Sequence, residues 1–357
     1  MEKIDIVDIQ FETEIYKRHG VVEVYSARLY RKPHEVICVK KIYVESATDA
    51  NEKYNECLAM LSFNHPNIVN LRSCILSGAN KNIDSVHIIM EFFPEGDLDK
   101  FIIKNKSTGG FSEETLLDYA SQLINGLSYM QLLGSSHRDI KPQNIFVANN
   151  GKLLKIGDLG SATKVDREVM SIIGTPLYLS PIVRQAYGRS AITGVLQVKH
   201  NPYKSDVFSL GLVLLYMASL RNPVGLMNLS ELEESLKKRF SEINNKFPKT
   251  SILIEKMLQV SEENRPDFIE LQAFFNSLIN GEGPPTCGRC KNPILNGQFQ
   301  EFRNSKLCSD CFHFITNLSQ YCTSCDQSWP AKNFYNYNHT QFCKFCVSKI
   351  NFFEDKL

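Results

Sequence analysis

The sequence predicts an α+β chain with a strand-rich front, a helical middle and a small cysteine-rich tail. Three observations predict it. Short β-type runs crowd residues 15–91, helical periods dominate after Leu98, and eight of the eleven cysteines fall after residue 286 in four Cys-x2-Cys pairs. The 357 residues are 43% hydrophobic and 22% charged, which excludes wholesale disorder. Forty basic residues against 39 acidic give a net charge of +1, so no global attraction to nucleic acid or to an acidic membrane surface is expected. No apolar run reaches the ~18 residues that cross a bilayer, and MEKIDIVDIQ lacks the basic start and apolar core of a secretory leader. The expected setting is intracellular, cytoplasmic or nuclear, where paired cysteines bind metal more readily than they form disulfides.

The front segment carries the β-type runs Val21–Tyr25, Val36–Ile42 and Val86–Met90, interrupted by one helical stretch, Ala50 to Leu61. Ser112 followed by two glutamates marks a helix start, and Leu116, Ala120, Leu123, Leu127 and Met130 keep the helical period behind it. Leu210 to Leu220 reads as a buried helix. Asp267 with Glu270 forms a capping box ahead of the stripe Leu271, Phe274, Phe275 and Leu278. Strands followed by helices leave a cleft between two halves. The run Asn280-Gly-Glu-Gly-Pro-Pro-Thr286 is a linker by its Gly and Pro content. Beyond it, Cys-x2-Cys-x17-Cys-x2-Cys occurs at 287–311 and again at 322–346, a period of 35 residues.

Asp139 lies in His137-Arg-Asp-Ile-Lys-Pro-Gln-Asn144, Asp158-Leu-Gly160 follows 14 residues after Asn144, and Val36-Ile-Cys-Val-Lys40 lies upstream on a strand. Together these resemble the eukaryotic protein kinase family of serine/threonine type, from about residue 11 to 279. The resemblance implies a bilobal fold over residues 9–280, with an N-lobe at about 9–91 and a C-lobe at about 94–280; the Gly/Pro run makes 281–286 a linker, and the cysteine pairs mark 287–350 as a tandem zinc module. The resemblance also implies transfer of the ATP γ-phosphate to protein hydroxyls, aided by Mg²⁺.

By that resemblance Asp139 orients the substrate hydroxyl and accepts its proton, and Lys141 places a cation near the transferred phosphate. Asn144 and Asp158 supply oxygens to Mg²⁺. Lys40 holds the α and β phosphates and is positioned by Glu56, nine residues before the turn His65-Pro-Asn-Ile-Val69. Cys38 shares a strand face with Lys40 and, with Val24, covers the adenine. Backbone groups of Glu91 and Phe93 meet the adenine edge, Met90 guards the inner pocket and Asp97 reaches toward the ribose. Met60, Leu71, His137 and Leu159 form an apolar stack joining the lobes. Asp206 fixes the catalytic-loop backbone. Thr175 and Lys141 mark the serine/threonine class, and Ser171 is a phosphorylation candidate that Arg138 would pair with.

Two positions depart from the family pattern. Lys17, His19 and Val22 stand where three glycines are usual, leaving Gly20 alone to let amides approach phosphates. Lys17, Arg18 and His19 then read as solvent-exposed basic residues. Ile182 stands where the family has the glutamate partner of Arg265, so Arg265 needs another acceptor or stays hydrated.

Each half of the tail offers the four thiolates of a closed structural zinc site. The repeat favours Cys287, Cys290, Cys308 and Cys311 as one site and Cys322, Cys325, Cys343 and Cys346 as the other. A cross-braced pairing is the alternative, and an iron–sulfur cluster the minor one. The spacing resembles treble-clef and zinc-ribbon modules. Between residues 287 and 357 eight basic residues face five acidic ones, thin support for nucleic-acid binding, and a protein-docking or regulatory role is preferred. The competing readings are a silent pseudokinase scaffold and a zinc nucleic-acid binder carrying a regulatory kinase.

Overall fold

The computed structural model describes residues 4–61, 63–79, 82–165 and 169–280, together with the backbone of six short strands between 300 and 343. The chain divides into two compact units, Met1–Leu271 and Gln272–Leu357.

The first unit begins with a five-stranded antiparallel sheet. Its strands are β1 (Ile9–Arg18), β2 (Val22–Leu29), β3 (Lys32–Tyr43), β4 (Leu71–Ala79) and β5 (Asn82–Glu91), in the order β1-β2-β3-β5-β4. Strand alternation sorts their side chains. Val22, Val24, Cys38, Lys40, Ile42, Ile88 and Met90 face a cleft. The intervening Ala27, Leu29, Ile37, Val39 and Ile89 form a separate apolar cluster with Ile4 and Ile9 on the opposite face. Each aliphatic side chain buried there contributes roughly 1.5–3 kcal/mol. Helix α1 (Ala47–Met60) packs on β4 and β5, in the place expected for the Ala50–Leu61 stretch.

His87, on the same face of β5 as Ile89, is 4% exposed, and its Nδ1 finds no hydrogen-bond partner among the described residues. Burial pushes its imidazole down to about 4, Lys41 pushes it further, and Asp84 opposes weakly. The unfolded chain therefore binds this proton first. The stability that neutral His87 contributes is complete above about pH 6.5 and is lost as pH falls toward 4. Denaturant titrations should lose on the order of 2 kcal/mol across that window, discounted for screening, and His87→Leu should remove that part of the slope. An unchanged slope in the variant would refute the assignment.

The helical half holds α2 (Leu98–Lys106), α3 (Glu113–Leu132), α4 (Pro181–Thr193), α5 (Pro202–Ser219), α6 (Leu232–Asn244), α7 (Pro248–Met257) and α8 (Phe268–Asn280). The expected start signals work as read. Ser112 Oγ accepts from Thr115 N–H at 3.1 Å, and Asp267 and Glu270 exchange backbone bonds at 3.0 and 2.9 Å. The stripe Leu116, Ala120, Leu123, Leu127 and Met130 is buried, and so is most of α5, the central helix of this lobe.

Between α3 and α4 run short strands: β6 (Ser135–Ser136), β7 (Ile145–Ala148), β8 (Leu153–Ile156), β9 (Thr163–Lys164) and β10 (Val169–Ser171). β6 pairs with β9 and β7 with β8, while β10 pairs with β11 (Gln197–Lys199), which follows α4. A strand-rich lobe and a helical lobe thus enclose a cleft, the bilobal arrangement expected.

The second unit contains the end of α8 and three hairpins: β12–β13 (Gln300–Phe302, Ser305–Leu307), β14–β15 (Ser319–Tyr321, Ser328–Pro330) and β16–β17 (Phe334–Tyr337, Thr340–Cys343). All eight tail cysteines lie outside the described residues, apart from the backbone of Cys343. Among the described residues no helix is long and apolar enough to cross a membrane, and no His/Cys/Asp/Glu cluster is arranged to hold a metal.

Candidate active site

The cleft has a volume of about 1030 Å³. Its roof is the inner face of β2, β3 and β5. Its floor includes Phe146 on β7, whose ring stacks on Phe93 with centroids 5.1 Å apart and planes 13° off parallel. Val24, Cys38, Lys40, Met90, Asp97, Lys141, Asn144 and Asp158 all line it. Burial pushes the Cys38 thiol up to about 11, so at neutral pH it is an apolar wall rather than a nucleophile.

Beyond β6 the loop His137–Asn144 is pinned from below. Asp206 on α5, 2% exposed, accepts from Ser136 Oγ at 2.7 Å, His137 N–H at 2.7 Å and Arg138 N–H at 2.9 Å. These bonds hold Arg138 at φ +67°, a left-handed conformation that costs a non-glycine residue about 1–3 kcal/mol. His137 is fully buried. Its Nδ1 accepts from Asp139 N–H at 3.3 Å, which leaves Nε2–H to donate to Gly157 O at 2.9 Å. The imidazole thus ties this loop to the segment carrying Asp158. Met60, Leu71 and Leu159 of the expected stack are likewise buried.

Around Asp139 the polar groups converge. Lys141 Nζ lies 2.7 Å from Oδ2, Asn144 Nδ2 donates to Oδ2 at 2.9 Å, and Thr175 Oγ1 donates to Oδ1 at 2.8 Å. Lys141 also donates to Thr175 at 2.8 Å. Burial would raise the Asp139 carboxyl, but the bonds from Lys141 and Thr175 outweigh it and hold it below the usual range. The Thr175 hydroxyl thus bonds to both Asp139 and Lys141, a contact the sequence does not announce. Gly174 makes it feasible: it adopts φ +120°, and a Cβ there would lie 2.6 Å from Arg138 O.

Opposite, Lys40 Nζ lies 2.5 Å from Asp158 Oδ1. Burial alone would raise the Asp158 carboxyl; the ammonium beside it carries it below the ordinary value. Asp158 has φ +51°. The structure thus joins Lys40 directly to Asp158. Glu56 lies on α1, and its side chain, with the expected Lys40 pair, is outside the described residues.

At the hinge the expectation for Glu91 and Phe93 concerns their backbone groups, and their side chains are engaged elsewhere. The Glu91 carboxylate receives Lys155 Nζ at 2.7 and 2.9 Å and Asn70 N–H at 2.6 Å, which fastens the end of β5 to β8. Phe93 O accepts from Gly96 N–H at 3.1 Å. Asp97 caps α2 by accepting from Lys100 N–H at 3.0 Å, so it serves the helix whatever else it meets.

The β1–β2 connection is a three-residue turn, with Gly20 at φ +68°. Lys17 is exposed but not free: its Nζ bridges Glu14 and Glu23, each at 3.0 Å. The bond from Lys17 holds the Glu23 carboxyl down at about 2, helped by the Tyr25 hydroxyl. The Lys17 charge is thereby committed to the sheet. Arg138 donates Nε–H to Ser161 O at 2.9 Å, and Ser171 is exposed on β10. Arg265, 1% exposed, takes backbone carbonyls in place of a carboxylate: Gln259 O at 2.9 and 2.7 Å, Lys204 O at 3.0 Å and Val260 O at 3.1 Å. Its guanidinium also lies over the Phe208 ring, and burial lowers it to about 10.

Known proteins share this organisation. A profile of the protein kinase domain matches residues 20–274. Serine/threonine-protein kinase Nek5 of Mus musculus is 30% identical over 261 residues, covering 70% of this chain and 38% of the relative. Human Nek5 is 32% identical over 233 residues (63% and 30%). The ovarian-specific serine/threonine-protein kinase Lok of Drosophila melanogaster is 31% identical over 228 residues (61% and 44%). The chain thus spans less than half the length of these curated relatives. With a matched profile covering most of the chain and the cleft residues in this order, the chain belongs to the protein kinase family.

Proposed function

We propose that the chain is a serine/threonine protein kinase, transferring the ATP γ-phosphate to hydroxyls of protein substrates. The observation that carries this reading is the meeting of Lys40, Asp139, Lys141, Asn144 and Asp158 at one cleft. Asp139 is the acceptor of the substrate hydroxyl proton, and Lys141 steadies charge on the transferred group. Lys40 holds the α and β phosphates, with Glu56 as its helix partner. Val24 and Cys38 enclose the adenine, whose edge meets backbone groups of Glu91 and Phe93. The donor set fits Mg²⁺: Asn144 spends its N–H groups on Asp139, and no described donor takes its Oδ1, while Asp158 adds a carboxylate. When bound, Mg²⁺ supplies charge neutralisation between the phosphates.

The test is γ-phosphate transfer from Mg-ATP to arrayed serine, threonine and tyrosine peptides. Turnover on serine or threonine peptides, lost in Lys40→Met, is expected. Nucleotide binding without transfer would favour the scaffold reading, which the glycine-poor turn between β1 and β2 supports.

For the tail we infer two structural zinc sites, Cys287/Cys290/Cys308/Cys311 and Cys322/Cys325/Cys343/Cys346, in a module at 287–350 that docks a protein partner. The donor chemistry supports it, since each repeat carries four thiolates, and Cys322 and Cys325 fall between the paired strands β14 and β15. Elemental analysis of the purified chain should find two zinc ions per molecule. Cys322→Ser should release one of them, and residues 300–343 should then lose protection from proteolysis. A zinc-free wild type would dismiss the module.

A further inference from the structure

Beside the catalytic loop runs the segment Thr175–Ser180. Thr175, Leu177 and Tyr178 line the cleft, so this stretch forms its wall next to Asp139. Its carbonyls are taken one after another from behind. Arg184 Nη2 donates to Leu177 O at 3.4 Å and Leu179 O at 3.0 Å, and Ser209 Oγ donates to Tyr178 O at 2.7 Å. The other arm of Arg184, Nη1, reaches Leu226 O at 2.7 Å. Leu226 ends the turn Pro223–Leu226, which is gripped at its start by a second buried arginine. Arg239 donates to Arg221 O at 2.8 Å and Asn222 O at 2.9 Å, and Asn222 lines the same cleft.

Arg184 is 6% exposed, and among the described residues no carboxylate lies within ion-pair distance of it. Its Nε–H has no acceptor among the described residues. A buried guanidinium with only carbonyl partners, and one donor idle, is a poor device for stability, because an apolar side chain would fill the space without desolvating a charge. What the planar fork supplies is orientation: two chain segments are held at fixed separation by one rigid group. Ile182, two residues before it on α4, supplies no charge to this region.

We propose that Arg184 is the positioning residue for the protein substrate, clamping Leu177–Leu179 to Leu226 so that the peptide-docking wall beside Asp139 is formed before substrate arrives. This rests on the kinase reading above. It differs from an ATP-site role because the hydrogen bonds of Arg184 go to Leu177, Leu179 and Leu226, all in the helical lobe.

The test uses the full chain and the best serine peptide found for the wild type in an arrayed library. In Arg184→Met, KM for peptide should rise roughly tenfold while KM for ATP stays within about twofold. Arg184→Lys, which keeps the charge but loses the fork, should show a several-fold rise. A second readout is independent of activity: amide exchange at Tyr178 and Leu179 should quicken in both variants, with the amides of β5 and β8 unchanged. Equal shifts in both KM values, or unaltered exchange at Tyr178 and Leu179, overturn the proposal. If Arg184→Met does not fold, Arg184→Lys decides, and a lysine variant matching wild type in both readouts refutes the clamp. A wild type that transfers no phosphate would sink the kinase reading alone, and the exchange measurement would still judge the clamp.

Discussion

Asp139→Asn is expected to lower kcat by about a thousandfold or more while leaving nucleotide affinity and thermal stability nearly unchanged. The substitution is isosteric: with its amide oxygen toward Asn144 and Lys141, the new NH2 group faces the Thr175 hydroxyl and can donate to its oxygen. What is lost is the charge that Lys141 faces at 2.7 Å and, on the proposed kinase reading, the basicity that would receive a hydroxyl proton. Because the Asp139 carboxyl is held below the usual range, the wild type keeps this group ionised throughout the neutral region. Its activity should therefore be flat on the acid side until pH falls below the ordinary carboxylate values. The measurement is kcat against pH for both proteins, with melting temperatures as the control for folding. A variant retaining a tenth of wild-type turnover would remove Asp139 from the chemistry.

Asp206→Ala should be the most destabilising single change in the helical lobe. Three donors converge on that carboxylate, two of them backbone N–H groups, and the residue is 2% exposed. Truncation strands all three in a site water cannot readily enter, at about 3–5 kcal/mol. For a domain of this size that corresponds to a fall in melting temperature of roughly 10 °C. Activity should fall further than stability explains, because the bond to Arg138 N–H is what sustains φ +67° just before Asp139. A melting temperature within about 2 °C of wild type would show that the loop holds itself.

Much of this was legible in the sequence because it depends on side-chain type at fixed spacing. Lys141 and Asn144 of the run 137–144, the acid at 158 and the lysine at 40 line one cleft, with Asp139 bonded to Lys141 and Asn144. Strand alternation also predicted that Cys38 and Lys40 share a face. The sequence was silent where backbone groups are the partners. The hydrogen bonds of Arg265 and Arg184 go to carbonyls of residues 177, 179, 204, 226, 259 and 260, and any residue offers a carbonyl. For the same reason nothing in Val169–Ser171 or Gln197–Lys199 announces that they pair. Lys17 reads as one of a basic trio, yet it is claimed by Glu14 and Glu23 because β1 and β2 meet in that register. Phe146 escaped notice because its role as cleft floor depends on how the two lobes meet.

The pairing of β10 with β11 closes a loop of chain that contains Thr175, the docking wall and all of α4. Two strands of three residues hold weakly alone, so the closure behaves as a latch on a leash. Each doubling of leash length adds only about 0.6 kcal/mol to the entropy opposing it. Extra residues around Gly194 would therefore be absorbed with little loss, whereas excising β11 would release the far end of the segment and leave its near end anchored through Thr175.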